Sequence, residues 1–141
     1  MKKEINCLYC EKRKKLHDLM IEITPLNCST LYLYKEQTYT GRCVVALNEH
    51  KREMYELNKE ELASFSRDIA RVAYAIKAAF CPDKINYAAF GDMVTHMHFH
   101  LVPKYEDGPK WGEAFEISPK EKILLSEAEY AEMIDKIKKY L

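Results

Sequence analysis

Three histidines on alternate positions, His96, His98 and His100, are the residues whose type and spacing most directly imply chemistry. They stand in Thr95-His96-Met97-His98-Phe99-His100-Leu101-Val102-Pro103, with Met97, Phe99 and Leu101 between and after them. In an extended strand, residues two apart share a face and stand about 6.5–7 Å apart. The apolar row can therefore enter a core while three imidazoles line an accessible face. Three of five histidines on one such run is poorly explained as the polar side of an ordinary half-buried strand. Neutral imidazole is a nucleophile and proton carrier near pH 7. It can take up a phosphoryl or nucleotidyl group and lose it again to water. The outer two lie about 13 Å apart by strand rise, too far for all three to serve one ion, although an adjacent pair can ligate zinc.

Cys7-Leu8-Tyr9-Cys10 is a second constellation. A C-x-x-C pair can be a redox motif, half of a zinc site, or a chance pair; a four-coordinate zinc needs two more N or S ligands from elsewhere. The remaining cysteines, Cys28, Cys43 and Cys81, read as small buried hydrophobes. Five cysteines do not suggest a disulfide framework, and the basic start MKKEINCLYCEKRKK has no apolar stretch behind it. No window approaches the roughly 18 apolar residues of a membrane span. The expected address is the cytoplasm, with no membrane partner.

These residues need elements to position them. From Asn58, the pattern NKEELASFSRDIARVAYAIKAAF places Leu62, Phe65, Ile69, Val72, Ile76 and Phe80 on one helical face. Asn58 and Glu61 have capping-box spacing, and Pro82 should stop the helix. Ser126 and Glu129 open a second helix at about 126–140 that buries Tyr130, Met133 or Ile134, and Ile137. Short β-type runs fall at 19–23, 30–35, 42–47, 85–90 and 95–102. Strands cluster before and after the long helix without alternating regularly with helices. This predicts an α+β fold with a mostly antiparallel sheet of about five strands, one long helix and a C-terminal helix. One domain should span residues 1–141.

Lys+Arg and Asp+Glu each number 22, so the formal net charge is zero. A sequence-independent nucleic-acid binder would need excess positive charge, so nucleic acid is not an expected partner.

HMHFHLV matches the His-φ-His-φ-His-φ-φ signature, and the longer segment KINYAAFGDMVTHMHFHLVPKYEDGPKWG resembles the bacterial short-loop branch of the histidine-triad (HIT) superfamily. With VALNEH and the first helix, the resemblance covers most of residues 5–117. It implies a nucleotide hydrolase or nucleotidyl transferase. Its substrate would be a dinucleoside polyphosphate, a nucleoside phosphoramidate or a related conjugate. His98 would be the nucleophile that becomes nucleotidylated, and His100 would bind the α-phosphate. Asn86, Gly91 and Asp92 would contact substrate, although many relatives carry Gln or Asn where Asp92 stands. Cys7, Cys10, His50 and His96 would hold a structural zinc, with His17 a spare ligand. A homodimer is likewise implied only by the resemblance. Leu31, Tyr32 and Leu33 would wall the base pocket, or equally pack on the core. Trp111 could stack on a base, seal a dimer seam or pack in the core, and Arg42 and Lys104 could supply phosphate charge or be solvated. Two other readings are a nucleotide-binding module without turnover, and a metal-dependent hydrolase with His96 and His98 as catalytic ligands.

Overall fold

Five strands pair antiparallel in the order β1-β2-β3-β5-β4 in the computed structural model, which describes residues 2–141. They are β1 Met20–Pro25, β2 Ser29–Tyr34, β3 Cys43–Leu47, β4 Lys84–Ala88 and β5 His98–Lys104. After β3 the chain makes a 3₁₀ turn, Met54–Glu56, then the long helix α3, Lys59–Phe80, and returns as edge strand β4. Strand β5 fills the place between β4 and β3, so the histidine strand is internal. Two short helices, α1 Leu8–Glu11 and α2 Lys14–Leu19, precede β1, and α4, Glu127–Lys139, ends the chain. The α+β architecture expected from the pattern is the one observed.

Alternation explains the two faces. Leu31, Leu33, Cys43, Val45, Leu47, Met97 and Leu101 bury into one cluster with Phe65, Val72 and Ile76 of α3. Phe99 joins them, its ring 5.8 Å from that of Phe65. The intervening residues Tyr32, Val44 and Ala46 pack on the opposite face with Tyr9 and Leu16. In register, Val44 opposes His100 and Ala46 opposes His98, so both histidines belong to that second face.

Asn58 and Glu61 form the expected reciprocal cap, and so do Ser126 and Glu129. Cys81 takes a left-handed conformation (φ 52°) and ends α3 one residue before Pro82. Exposed at this position, it is no buried hydrophobe, whereas Cys43 is. Leu62, placed by periodicity on the buried face, is 38% exposed in the first turn. Strand β5 starts at His98 and not at Thr95. Just before it, Met97 N donates to Lys51 O (2.7 Å) and Leu47 N donates to Met97 O (3.1 Å). Those bonds tie the preceding residues to the segment after β3. The helices α1 and α2 escaped the periodic pattern because four and six residues are too few to show it.

Asp68, fully buried on α3, is the main polar tie between that helix and the sheet. Its carboxylate accepts from Asn27 N (3.2 Å), Asn27 Nδ2 (3.0 Å), Cys28 N (3.0 Å) and Ser29 Oγ (2.6 Å), fixing the β1–β2 turn. Asp68→Ala strands two backbone N–H groups, and is expected to lower stability by about 2–4 kcal/mol. Urea unfolding checks this; an unchanged midpoint and slope would contradict it.

Candidate functional site

Four ligand-type side chains converge where the N-terminal segment meets the start of β5. Cys7 caps α1 and Cys10 lies within it, while His50 follows β3 and His96 precedes β5. His96 Nδ1 lies 3.4 Å from Cys7 Sγ, 3.5 Å from Cys10 Sγ and 3.2 Å from His50 Nδ1. Cys10 Sγ lies 3.4 Å from His50 Nδ1. Metal–ligand lengths of about 2.0–2.3 Å give tetrahedral edges of roughly 3.3–3.8 Å, so the spacing fits one four-coordinate ion. These residues could hold a metal ion.

The outward ring atoms are also engaged. His96 Nε2 donates to Leu47 O at 2.5 Å, leaving Nδ1 free for a ligand. The Glu4 carboxylate approaches His50 Nε2 at 2.7 Å, but out of line with a hydrogen bond, and is itself held by Arg52 at 3.0 Å. Such outer partners orient metal-binding imidazoles. Glu4 carried no sequence signal of its own. His17 is exposed on α2 and lies outside the cluster.

His98 and His100 open on a neighbouring cavity of about 360 Å³. Leu8, Tyr9, Leu19, Met20, Tyr34 and Ile117 supply walls, and Phe90 to Val94 form a rim that includes Gly91 and Asp92. The two imidazole centroids are 5.3 Å apart. Tyr9 brackets the face, its ring 5.4 Å from that of His96 and 5.0 Å from that of His98. His98 Nδ1 lies 2.6 Å from His96 O. A carbonyl only accepts, so Nδ1 carries the proton. Burial lowers the His98 pKa, a shift that this bond opposes without cancelling. The ring is therefore held neutral, with its lone pair on Nε2.

His100 has its pKa pushed down to about 3, first by burial and then by the positive charge of Arg42. Arg42, Tyr34 and His98 are the charged and titratable groups against it. In the unfolded chain the ring should protonate near 6.5. Between those values the unfolded state binds the extra proton, so stability present above about pH 6.5 is lost as pH falls towards 3. Melting of the wild type should thus fall more steeply than that of His100→Gln between about pH 6 and 4. Parallel curves would contradict this.

Burial and contacts decide between the readings left open for several side chains. Arg42 is not solvated but fully buried: Nη2 lies 3.1 Å from His100 Nδ1, and Nη1 donates to Ile117 O at 3.1 Å. Lys104 is likewise buried, donating to Lys110 O (2.6 Å) and Glu113 O (2.8 Å) to tie the following loop. Leu31 and Leu33 face the main core, and Tyr32 packs under Tyr9; the cavity wall from that strand is Tyr34. Asn86 opposes Val102 and so shares the histidine face, but it lines a separate depression with Lys104 and Trp111. Trp111 is half-exposed there, not core.

The HIT domain family model matches residues 27–107. An uncharacterized HIT-like protein of Mycoplasma genitalium is 31% identical over 77 residues, covering 51% of this chain and 55% of that one. Adenosine 5′-monophosphoramidase of Schizosaccharomyces pombe is 29% identical over 132 residues, 87% of this chain and 95% of that one. Solved folds agree. A histidine triad protein from Sinorhizobium meliloti gives a TM-score of 0.83 at 22% identity, covering 92% of this chain and 95% of that one. A Zn-bound histidine triad family protein from Mycobacterium smegmatis gives 0.68 at 18% identity, covering 96% and 95%. With a family model matched over more than half its length and the three histidines inside the match, this chain belongs to the HIT family.

Proposed function

We propose that the chain is a nucleotide hydrolase or nucleotidyl transferase in which His98 attacks an α-phosphate, giving a covalent nucleotidyl-histidine. The observation that carries this reading is the His98 Nδ1 contact with His96 O, which leaves the nucleophilic lone pair on Nε2 of a ring at the cavity. In the first step Nε2 bonds to the α-phosphorus while the bond to the leaving group breaks and its electron pair departs with that group. The positive charge left on the ring is shared with the hydrogen bond to His96 O. Water then attacks the same phosphorus and gives up one proton, to the departed group where that group is basic and otherwise to solvent, while the P–N electrons return to Nε2 and restore the neutral His98 ring. His100 donates to a non-bridging oxygen beside the reacting bond, a preorganised contact that strengthens as charge develops. Gly91 and Asp92 on the rim meet the phosphate end, with Asp92 turned toward solvent or a cation because a carboxylate facing a phosphate is unfavourable. Asn86 has no part in this proposal.

Apolar walls beside two imidazoles suit a nucleobase joined to a phosphate. The S. pombe relative's name makes a nucleoside phosphoramidate the first substrate to test and a dinucleoside polyphosphate the second. The proposal includes zinc at Cys7, Cys10, His50 and His96, supported by the ligand spacing and by the Zn-bound relative. With four protein ligands the ion has no open position, so it would brace His96 and not polarise substrate. The candidate metal cluster takes His96 together with Cys7, Cys10 and His50 and does not include His98, which disfavours the metal-dependent alternative with His96 and His98 as joint ligands. A two-fold dimer and a cytoplasmic address complete the proposal. No helix among the described residues is long and apolar enough to cross a membrane.

A turnover screen across AMP-linked phosphoramidates and polyphosphates tests it. Hydrolysis releasing AMP from at least one class is expected. Tight binding with no turnover of any would favour the binding-module reading.

A further inference from the structure

Arg42 is a buried cation with no carboxylate in ion-pair range, the buried Glu36 acting on it only from a distance. It immediately precedes β3, its side chain is 0% exposed, and among the described residues it takes part in no ion pair. The guanidinium carbon lies 4.1 Å from the Tyr34 ring centroid and 5.3 Å from that of Phe115. Nη1 is satisfied by Ile117 O, while Nε has no partner. Burying a charge this way costs stability, and an apolar residue of similar volume often does better. Stability alone therefore explains this arginine poorly. Its distinctive contact is Nη2 to His100 Nδ1 at 3.1 Å.

We infer that Arg42 is a positioning residue that locks His100 in the tautomer with a bare Nδ1 and a protonated Nε2. A guanidinium has no acceptor and never loses its protons, so the ring nitrogen facing it must carry the lone pair. The opposite rule applies next door: the carbonyl of His96 puts the proton of His98 on Nδ1. Two histidines on one strand face are thus fixed in opposite tautomers, with ring centroids 5.3 Å apart. One presents a lone pair, and the other presents an N–H. Resting on the reading of His98 as the attacking group, this makes His100 a phosphate donor that cannot compete for the phosphorus. Without Arg42 the His100 ring is free to exchange tautomers and turn its own lone pair on a phosphate oxygen.

The first test needs neither a variant nor turnover. In ¹⁵N-histidine NMR of the wild-type protein, His100 should show a bare Nδ1 and a protonated Nε2, with the reverse for His98. A protonated His100 Nδ1 would overturn the inference, whatever the activity. The second test is kinetic. Arg42→Met should lower kcat on the order of 10–100-fold while KM moves by less than about threefold, because a donor is misdirected and not a binding wall removed. In a His100→Ala background the same substitution should cost almost nothing further. A merely structural Arg42 would lower kcat equally in both backgrounds, and that outcome would overturn the inference. If Arg42→Met fails to fold, Arg42→Gln serves in the same cycle with the same two outcomes, because an amide both donates and accepts and no longer dictates the tautomer. Normal turnover by His98→Ala would instead sink the proposed function while leaving the His100 tautomer standing.

Discussion

His98→Ala should lower turnover of an AMP-linked substrate on the order of 10³-fold or more, while fold, metal content and nucleotide binding change little. The side chain removed is the one that forms the bond, so no geometric adjustment elsewhere replaces it. Its structural losses are smaller: one hydrogen bond to His96 O and the packing against Tyr9, together about 1–2 kcal/mol. The backbone remains anchored from the other face, where Phe99 meets Phe65 and Met97 lies in the main core. His100→Ala should cost less, on the order of 10–100-fold, because it removes one stabilising donor. Rates and binding measured on the two variants check the ranking; a His100 variant slower than the His98 variant would reverse the assigned roles.

Cys10→Ala should abolish stoichiometric zinc binding and lower Tm by about 10 °C or more, at roughly 3 °C per kcal/mol for a chain of this size. Cys10 faces both imidazoles of the cluster, so its loss opens the sphere at the point that joins α1 to the residues flanking β3 and β5. Metal binding that closes three distant segments adds directly to folding free energy. Turnover should also fall, since α1 carries Tyr9, which packs on His98. Metal analysis of protein made with zinc supplied is the check. No zinc in the wild type, or an unchanged Tm in a zinc-free variant, would contradict the assignment.

The sequence made the sheet and its histidine face readable because strand alternation is short-range: Met97, Phe99 and Leu101 point one way whatever lies around them. The capping boxes of α3 and α4 were legible for the same reason, each being set within four residues. The convergence of Cys7 and Cys10 with His50 and His96 was not deducible from spacing; it came from the family pattern, and the folded chain brings those atoms together. The burial of Arg42 was not legible because an arginine near a strand end is normally solvated, and only the closure of Tyr34, Phe115 and Ile117 around it buries the charge. Asp68 and Glu4 were silent for a related reason. Their partners lie about 40 or more residues away, so no local pattern marks them. The wall residue Tyr34 was displaced from the expected 31–33 because Leu31 and Leu33 are claimed by the core under α3.

Trapping the intermediate tests the central claim most directly. The protein is mixed briefly with an AMP-linked substrate labelled at the α-phosphorus, quenched in base and digested. A phosphoramidate on histidine is stable in base and labile in acid, so the label should survive the quench and disappear on acidification. It should map to His98 and be absent from His98→Ala. Label on His100 or any other residue, or full turnover with no labelled protein at the shortest times, would contradict the assignment of His98 as the nucleophile.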